Sequence, residues 1–349
     1  MHLKEILTTA ISRDASDVHL AADAPATMRV NGNIQHIYDE KLTGQSIRAL
    51  LGEAVSSEQM QVLDNLHELN VSFLIEGLSR FRLNACYERG VIGVSIRIVS
   101  LKFRSLGELG VPLIVEELTA RPNGLVLITG AAGMGKSTTM AAMINHINHQ
   151  GKAARIITIE DPIEYLHPHG RSVVVQREVG TDTVSFAEAL RQAMRQDPNV
   201  ICVGEMRDVE TIAIALTAAE TGHLVFGTLH TQDAAQTIDR IIDAFPATQQ
   251  DQVRIQLSAT LQGIISQRLV PRADGKGRAL AAEVLTATPA VRNIIRRMDQ
   301  NQLYSVMTAG SEFGMITMDK ALKQLVNSLT ITHETAMEYV KNPKEFKFI

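Results

Sequence analysis

Residues 130–138 read GAAGMGKST, a complete GxxxxGKS phosphate-binding loop that directly follows an apolar run. The glycines leave the backbone free to adopt positive φ and to turn N–H groups towards phosphate oxygens. Lys136 adds a mobile positive charge, Ser137 offers a hydroxyl ligand for Mg²⁺, and the positive end of the following helix points at the same anion. The sequence therefore predicts an ATP and Mg²⁺ site. The residues predicted to hold the nucleotide are Gly130, Gly133, Met134, Gly135, Lys136, Ser137 and Thr138.

Three polar clusters follow other apolar runs. The segment ITIEDPIEY contains Asp161 and Glu164, VICVGEMRD contains Glu205, and LVFGTLHT contains His230. Carboxylates beside a triphosphate can orient Mg²⁺ or polarise the attacking water, and a histidine there can contact the γ-phosphate. Each cluster also has a plainer interpretation. Asp161 could cap a helix, Glu205 could be structural, and a histidine after a strand is often only packed.

These clusters need a scaffold that brings strand ends together. Short β-type runs alternate with helical stretches after residue 124, and Ser185 with Glu188 predicts a capping box for a helix through Arg195. Asp208 predicts the N-cap of a helix that stops at Gly222. Such alternation indicates a mainly parallel sheet covered by helices, with ligands at the C-terminal ends of the strands. The predicted strands are 125–128, 155–159, 173–176, 200–203 and 224–229.

The chain before residue 100 has a different pattern. A helical stretch at 44–66 is mixed with β-like runs, which indicates a small α+β domain. The seam LKFRSLGELGVP at 101–112 has the glycine and proline content of a connector. The predicted domains are therefore 1–100, a linker at 101–112, and 113–349 with a helical region from about 289. The N-terminal β-like runs are 26–30, 69–75, 80–87 and 91–99, and the C-terminal helices are Val291–Met298, Met315–Asn327 and Thr332–Val340.

The composition excludes several classes of protein. The chain has 349 residues, 45% hydrophobic content, a net charge of −4 and two cysteines. The separation of Cys86 and Cys202 indicates buried thiols and no disulfide framework. The acidic balance and few aromatics argue against a nucleic-acid motor. No secretory or membrane-spanning segment is evident, so we expect a soluble cytoplasmic protein that reaches a membrane only through partners.

The ordered motifs resemble those of the secretion and pilus motor ATPases, most closely the PilT-type retraction ATPases of type IV pili. This resemblance implies a hexameric ring. Each subunit would have a PAS-like N-terminal domain and a RecA-like P-loop ATPase core, an α/β fold. The matching segments are the phosphate loop, ASDVHL (15–20), SRFRLNAC (79–86), IEDPIEY (159–165), QREVG (176–180), GEMRD (204–208), AAETGHLVFGTLHT (218–231), QQDQVRIQLSATLQGIISQRL (249–269) and GMITMDKAL (314–322).

The resemblance also implies roles for individual residues. Glu164 matches the general base, Glu205 the Walker B carboxylate near the metal ligand Ser137, and His230 the His box. Arg82 and Arg97 match arginines that reach the nucleotide at a domain or subunit junction. A guanidinium suits that role because it is permanently charged and forms a planar fork towards phosphate oxygens. The alternative is that both arginines are solvated strand residues.

Some positions depart from the family pattern, which usually reads GPTGSGKS in the phosphate loop and has asparagine at 232. Ala131, Ala132, Met134 and Gln232 stand there instead. The extra N-terminal region and four-cysteine zinc loop of assembly ATPases are not found, which favours retraction over assembly. The implied partners are further copies of the chain, an inner-membrane platform protein and a paralogous retraction ATPase, at the cytoplasmic face of the inner membrane. The alternatives are an accessory PilU-like ring or an assembly or secretion ATPase.

Overall fold

The computed structural model describes residues 2–30, 32–99, 103–343 and 346. The chain forms two compact units. The first contains residues 1–102 together with 164–166, and the second contains residues 103–163 and 167–349. The first two residues of the predicted 101–112 linker lie outside the described residues. Among the described residues, no helix is long and apolar enough to cross a membrane.

The first unit contains an antiparallel sheet in the order β3-β2-β1-β6-β5-β4. The side chains of β5 alternate between the buried face of the sheet and its opposite face. Phe81, Leu83 and Ala85 are buried, whereas Arg82 and Asn84 alternate with them and lie on the other face. The elements are α1 (Leu3–Ser12), β1 (Asp17–Leu20), β2 (Pro25–Val30), β3 (Asn33–Lys41), α2 (Gly44–Leu51), α3 (Ser57–Leu66), β4 (Glu68–Ile75), β5 (Ser79–Glu88) and β6 (Val91–Ile98).

The helical stretch predicted at 44–66 is two helices, so the prediction of one stretch was wrong. Gly52 ends α2, and Ser56 begins α3 with a reciprocal cap. Its hydroxyl accepts from the Gln59 N–H at 3.3 Å, and the Gln59 side chain accepts from the Ser56 N–H at 2.9 Å. A cap of this kind starts a new helix, because it satisfies N–H groups that a continuous helix would bond internally.

The second unit contains a sheet in the order β13-β12-β7-β11-β10-β8-β9. Its strands are parallel except for the antiparallel pair β12 and β13. The five predicted strands are present, and β7 with four buried apolar residues lies inside the sheet. The strands are β7 (Gly124–Thr129), β8 (Arg155–Glu160), β9 (Val173–Glu178), β10 (Val200–Val203), β11 (Leu224–Leu229), β12 (Leu261–Pro271) and β13 (Arg278–Thr286).

Helices cover this sheet, and their capping residues mostly match the sequence. The Asp208 carboxylate accepts from the Thr211 N–H at 2.8 Å and begins α7. The Ser185 hydroxyl caps α6, but the Glu188 side chain contacts Gln192 and Arg191 instead of closing the predicted box. The helices are α4 (Ile114–Thr119), α5 (Lys136–His149), α6 (Phe186–Ala193), α7 (Val209–Glu220), α8 (Ala234–Asp243), α9 (Ala247–Thr260), α10 (Pro289–Arg297), α11 (Leu303–Ala309), α12 (Met318–Asn327) and α13 (His333–Met337).

The prediction of a helix from Met315 was wrong at its start. Gly314 has φ 75°, and a Cβ there would lie 2.6 Å from a carbon of Ile114. Ile316 then pairs with Val284 as an isolated β-bridge, so α12 begins only at Met318. The last predicted helix is also shorter, since α13 spans His333–Met337. Two short 3₁₀ helices, Gln300–Gln302 and Gly310–Phe313, complete the described elements.

The two cysteines are free thiols, as the sequence predicted. Cys202 is buried on β10, and burial raises the pKa of its thiol well above the usual value. Cys86 on β5 is only half-buried, so the expectation of two buried thiols holds for one of them.

Candidate functional site

The phosphate loop runs from the end of β7 to the start of α5. Gly130, Gly133 and Gly135 adopt φ values of 144°, 76° and 83°. A Cβ at Gly130 would lie 2.6 Å from the carbonyl oxygen of Gln267 on β12, so a larger residue would push the loop off its neighbouring strand. Glycine is therefore required by the left-handed backbone of the loop and, at 130, by the close approach as well.

Lys136 is the first residue of α5, and its ammonium group lies inside the loop. Its Nζ donates to the carbonyl oxygens of Gly130 at 2.7 Å and Ala131 at 3.0 Å. Lys136 is buried, whereas Ser137 next to it is exposed. The Met134 sulfur accepts a hydrogen bond from the Leu269 N–H at 3.3 Å. The seven residues predicted to hold ATP thus lie in one loop and the first turn of its helix.

A line of polar contacts joins this loop to two other strand ends. Lys136 Nζ lies 3.5 Å from His230 Nδ1, and His230 Nε2 lies 3.0 Å from Glu205 Oε1. Because an ammonium group can only donate, Nδ1 accepts and Nε2 carries the proton directed at the carboxylate. Arg207 Nε contacts the same carboxylate oxygen at 2.5 Å. We call Lys136, His230, Glu205 and Arg207 the polar chain.

The sheet explains why residues so far apart in sequence meet. Strands β10 and β11 are parallel neighbours, with Val203 opposite Gly227, so both end at the same edge. The Thr228 hydroxyl donates to the carbonyl oxygen of Gly204, and the Met206 N–H donates to the Thr228 carbonyl at 3.0 Å. These bonds tie the residues on either side of Glu205 to the strand that leads to His230.

The electrostatics of the polar chain favour a charged carboxylate. Burial disfavours the ionised form of Glu205, but hydrogen bonds from Arg207 and His230, together with the charge of Arg207, outweigh it and lower the pKa of Glu205. The same contact raises the pKa of Arg207. Glu205 is therefore ionised at neutral pH and can attract a cation or orient a water molecule.

Asp161, directly after β8, lies close enough to Arg207 of the polar chain for its charge to help raise the pKa of that arginine. Glu160 Oε1 accepts hydrogen bonds from Thr158 Oγ1 at 2.6 Å and Gln176 Nε2 at 3.0 Å, which hold it to the sheet. Residues 161–172 are all described and form no helix, so the interpretation of Asp161 as a helix cap was wrong. The Asp161–Pro162 peptide is cis. Glu164 is exposed and belongs to the short segment grouped with the first unit.

Arg82 and Arg97 form a pair in the first unit. They stand directly opposite each other on β5 and β6, on the face away from Phe81. Asp17 on β1 stands on the other side of Arg97, and Arg97 Nε donates to Asp17 Oδ1 at 2.9 Å. Burial disfavours the ionised form of Asp17, but contacts from Ser16 and Arg97 lower its pKa. Like charges at opposed positions destabilise a sheet, so one carboxylate balances two guanidinium groups only in part.

The sequence did not predict two arginine contacts, one at the phosphate loop and one at Gln232. Arg278 on β13 donates to the Gly133 carbonyl oxygen at 3.3 Å, and Arg268 on β12 donates to Gln232 at 3.3 Å. Arg207 lies inside the motif GEMRD, so its position beside Glu205 offered a signal. Arg278 lies 145 positions from the residue that it contacts, and no local pattern links the two.

A glycine-rich loop between a parallel strand and a helix, with a carboxylate and a histidine at neighbouring strand ends, defines a P-loop ATPase. The Type II/IV secretion system protein family matches residues 1–342, and the chain belongs to this family. The chain is thus an ATP-binding ATPase with a RecA-like core and an N-terminal domain. The predicted fold class and enzyme class are confirmed.

The sequence is similar to that of known pilus ATPases along its whole length. It is 44% identical over 346 residues to the type IV pilus retractation ATPase PilT of Pseudomonas aeruginosa, which covers 99% of this chain and 100% of that protein. It is 38% identical over 349 residues to the type IV pilus ATPase PilU of the same organism, with coverage of 100% and 91%. A crystal structure of the pilus retraction motor PilT with bound ADP matches with a TM-score of 0.91 and 48% identity, covering 99% of this chain and 98% of that one.

Proposed function

We propose that this chain is the subunit of a hexameric motor that hydrolyses ATP to power type IV pilus retraction. The observation that carries the proposal is the polar chain, in which the phosphate-loop lysine, His230 and Glu205 are linked at 3.5 and 3.0 Å. This arrangement connects the site that holds the triphosphate to a residue at a different strand end. Loss of the γ-phosphate would therefore change the contacts of His230 and Glu205, which lie outside the loop.

The loop residues suit a triphosphate with Mg²⁺. Gly130, Gly133 and Gly135 shape the backbone cradle, and Lys136 neutralises phosphate charge. The exposed Ser137 hydroxyl and the ionised Glu205 carboxylate are oxygen ligands of the kind that Mg²⁺ prefers, so these residues would hold the ion. The ion would supply positive charge that counters the charge developing on the phosphate oxygens.

Three further residues complete the reaction in this proposal. Glu164 acts as the general base: it accepts a proton from the attacking water as the new bond to the γ-phosphorus forms, and ADP leaves with the electron pair of the broken bond. Arg82 and Arg97 stabilise the charge on the transferred phosphoryl group. Their opposed positions in one sheet provide two guanidinium groups that an anion would balance.

The proposed assembly follows from the family. Residues 1–100 act as a PAS-like domain, 101–112 as a linker and 113–349 as the ATPase domain. A homohexamer would work at the cytoplasmic face of the inner membrane on a platform protein, with a paralogous retraction ATPase as a further partner. The proposal includes no nucleic-acid ligand and no insertion of the chain into the membrane.

Deletion of the gene in its native host tests the direction of the motor. Loss of a retraction motor should leave cells with surplus surface pili that no longer twitch. Cells without surface pili would instead assign the chain to assembly. Expression of the wild-type chain in the deletion strain should restore twitching and normal piliation.

The second candidate is an accessory ring of the PilU type. Identity to PilU is 38%, against 44% to PilT, and Lys136, Glu164 and Glu205 are all present, which favours a primary motor. The primary motor and the accessory ring differ in whether the chain can power retraction without the other ATPase. A primary motor restores twitching in a host that lacks both retraction ATPases, whereas an accessory ring restores it only together with the other ATPase.

A further inference from the structure

The turn that carries His230 is held from its far side by the C-terminal part of the chain. We call residues 230–233 the His-box turn, which connects β11 to α8. Its last residue, Asp233, caps α8, because Oδ1 accepts from the Gln236 N–H at 2.8 Å. Its other oxygen, Oδ2, accepts from Lys341 Nζ at 3.0 Å. A lysine 108 positions later thus contacts the turn directly.

Glu283 on β13 completes this cluster. Its Oε1 accepts from the Ala234 N–H at 2.9 Å, and its Oε2 accepts from the Met318 N–H at 3.4 Å. These two N–H groups are the first of α8 and α12. Lys341 Nζ also lies 3.6 Å from Glu283 Oε2. One carboxylate therefore joins the start of two helices, and one ammonium group serves both carboxylates.

Because the carboxylates of this cluster are buried, their charge depends on the Lys341 ammonium group for compensation. The side chains of Asp233 and Glu283 are only 12% and 3% exposed. Burial raises the pKa of Glu283, and Lys341 offsets part of this effect. Burial also disfavours the ammonium form of Lys341, but Glu283 and Asp233 outweigh it and raise its pKa. Removal of Lys341 would leave two buried carboxylates without their shared cation, a costly arrangement.

The backbone fixes Lys341 as well. The N–H groups of Lys341 and Asn342 donate to the two carboxylate oxygens of Asp319 on α12, at 2.8 and 3.1 Å. Lys341 therefore reaches the His-box turn from a segment anchored on α12. The turn is held at both ends, by the polar chain at His230 and by this cluster at Asp233.

We propose that Lys341 is a positioning residue for ATP hydrolysis, which holds the His-box turn so that His230 stays aligned with Lys136 and Glu205. The inference rests on the proposed function of the site, in which His230 responds to the γ-phosphate. A turn released at Asp233 would let His230 move away from the phosphate loop. The loop itself would remain intact. Binding of ADP would then change little, whereas the advantage of a triphosphate over ADP would fall.

The test uses the full-length chain and compares Lys341→Met with Lys341→Arg and Lys320→Met. Lys320 is an exposed lysine on α12 that donates to Ser311 and serves as the matched control. The measurement is the ratio of the affinities for a non-hydrolysable ATP analogue and for ADP, together with kcat and KM. We expect Lys341→Met to lower the ratio about tenfold, within the usual range of coupling between sites. Lys341→Arg and Lys320→Met should keep the wild-type ratio.

A wild-type ratio in folded Lys341→Met overturns the inference. His230→Ala, measured in parallel, distinguishes a failure of the proposed role of Lys341 from a failure of the proposed role of His230. If His230→Ala lowers the ratio and Lys341→Met does not, the inference fails while the proposed function stands. If His230→Ala keeps the ratio, the proposed role of His230 fails first. Should Lys341→Met not fold, the double variant Glu283→Gln/Lys341→Met removes one buried charge. A folded double variant with the wild-type ratio would overturn the inference as well.

Discussion

The two units of this protein present positive charge in different ways. In the second unit, Lys136 lies within a network whose members come from three strand ends and contact one another. In the first unit, Arg82 and Arg97 come from adjacent strands and stand side by side in register, with Asp17 contacting Arg97. Each arrangement contains two cations and one carboxylate, but in the first one His230 and Glu205 lie between the two cations and link them. In the second arrangement the two guanidinium groups stand directly opposite each other on neighbouring strands.

This difference predicts different contributions of the two groups to nucleotide binding and to catalysis. A site whose groups hold one another is preorganised, so its geometry is ready before the ligand arrives. Two guanidinium groups directly opposite each other repel, and an anion in addition to Asp17 would relieve that repulsion. We therefore expect removal of Lys136 to damage nucleotide binding and chemistry together. Mutations of the arginine pair should damage chemistry with little effect on nucleotide binding.

The largest expected effect follows removal of the lysine in the phosphate loop. Lys136→Ala takes away the cation that contacts the loop and His230, and we expect phosphate release to fall by about 10²–10³-fold. ATP affinity should fall as well, because the same cation binds the ground state. Lys152→Ala, at an exposed lysine beyond the end of α5, is the matched control and should keep wild-type activity. Normal turnover in Lys136→Ala would contradict the assignment of the phosphate loop as the site of ATP hydrolysis.

A smaller effect is expected from Glu205→Gln, which keeps the size of the side chain and removes its charge. Loss of a group that positions water or metal should lower kcat by about 10²-fold, the lower end of the range for general acid–base and electrostatic groups. The affinity for ADP without Mg²⁺ should change by less than about threefold, since the loop that holds the phosphates remains. Phosphate release and ADP titration check both statements. An unchanged kcat would exclude a catalytic role for this carboxylate.

The pH dependence of stability should also differ between the units. In the second unit, the His167 ring stacks on Phe103 with centroids 4.7 Å apart, and burial lowers its pKa to about 4. The unfolded chain, with a histidine pKa near 6.5, binds this proton more tightly. Neutral His167 therefore contributes its stabilisation of the folded state above about pH 6.5, and this contribution decreases as the pH falls towards 4. In the first unit, hydrogen bonds from Arg48 and Tyr87 lower the pKa of Asp64 to about 2, so its contribution is lost only in more acidic solution.

Urea unfolding at pH 7 and pH 5 measures the effect of His167. The wild-type chain should lose about 2 kcal/mol from this group between the two pH values, as linkage predicts for such a shift. His167→Gln has no titrating group and should lose correspondingly less. Equal losses in both proteins would mean that burial does not hold His167 neutral.

The sequence predicted the parts of the fold that have strong local signals. The apolar runs at Val200–Val203 and Leu224–Leu229 are strands with those bounds, and each is followed by a residue of the polar chain. Parallel strands end at one edge, so the position of Glu205 and His230 at the same edge as the phosphate loop was expected from pattern alone. The caps at Ser185 and Asp208 were predicted from their own neighbours.

The parts that the sequence did not predict depend on distant contacts. Strand β12 follows α9 without an intervening residue, so no glycine or proline marks the change from helix to strand. Its pairing with β7 brings Gln267 against Gly130 across 137 positions of sequence. Lys341 and Glu283 meet the His-box turn for the same reason. The pairing of Arg82 with Arg97 was likewise outside local prediction, because register is set by the whole sheet.

The most direct test of the account is phosphate release by mixed rings. Lys136→Ala and Arg97→Ala subunits should each be inactive alone, because each removes a different part of the proposed site. If the arginine acts on nucleotide held by a neighbouring subunit, an equal mixture should regain about one quarter of wild-type activity, since one junction in four then pairs an intact loop with an intact arginine. An active Arg97→Ala ring would contradict the claim that the arginine pair completes the ATP site, and a mixture that stays inactive although it assembles would contradict the action of Arg97 on a neighbouring subunit's nucleotide.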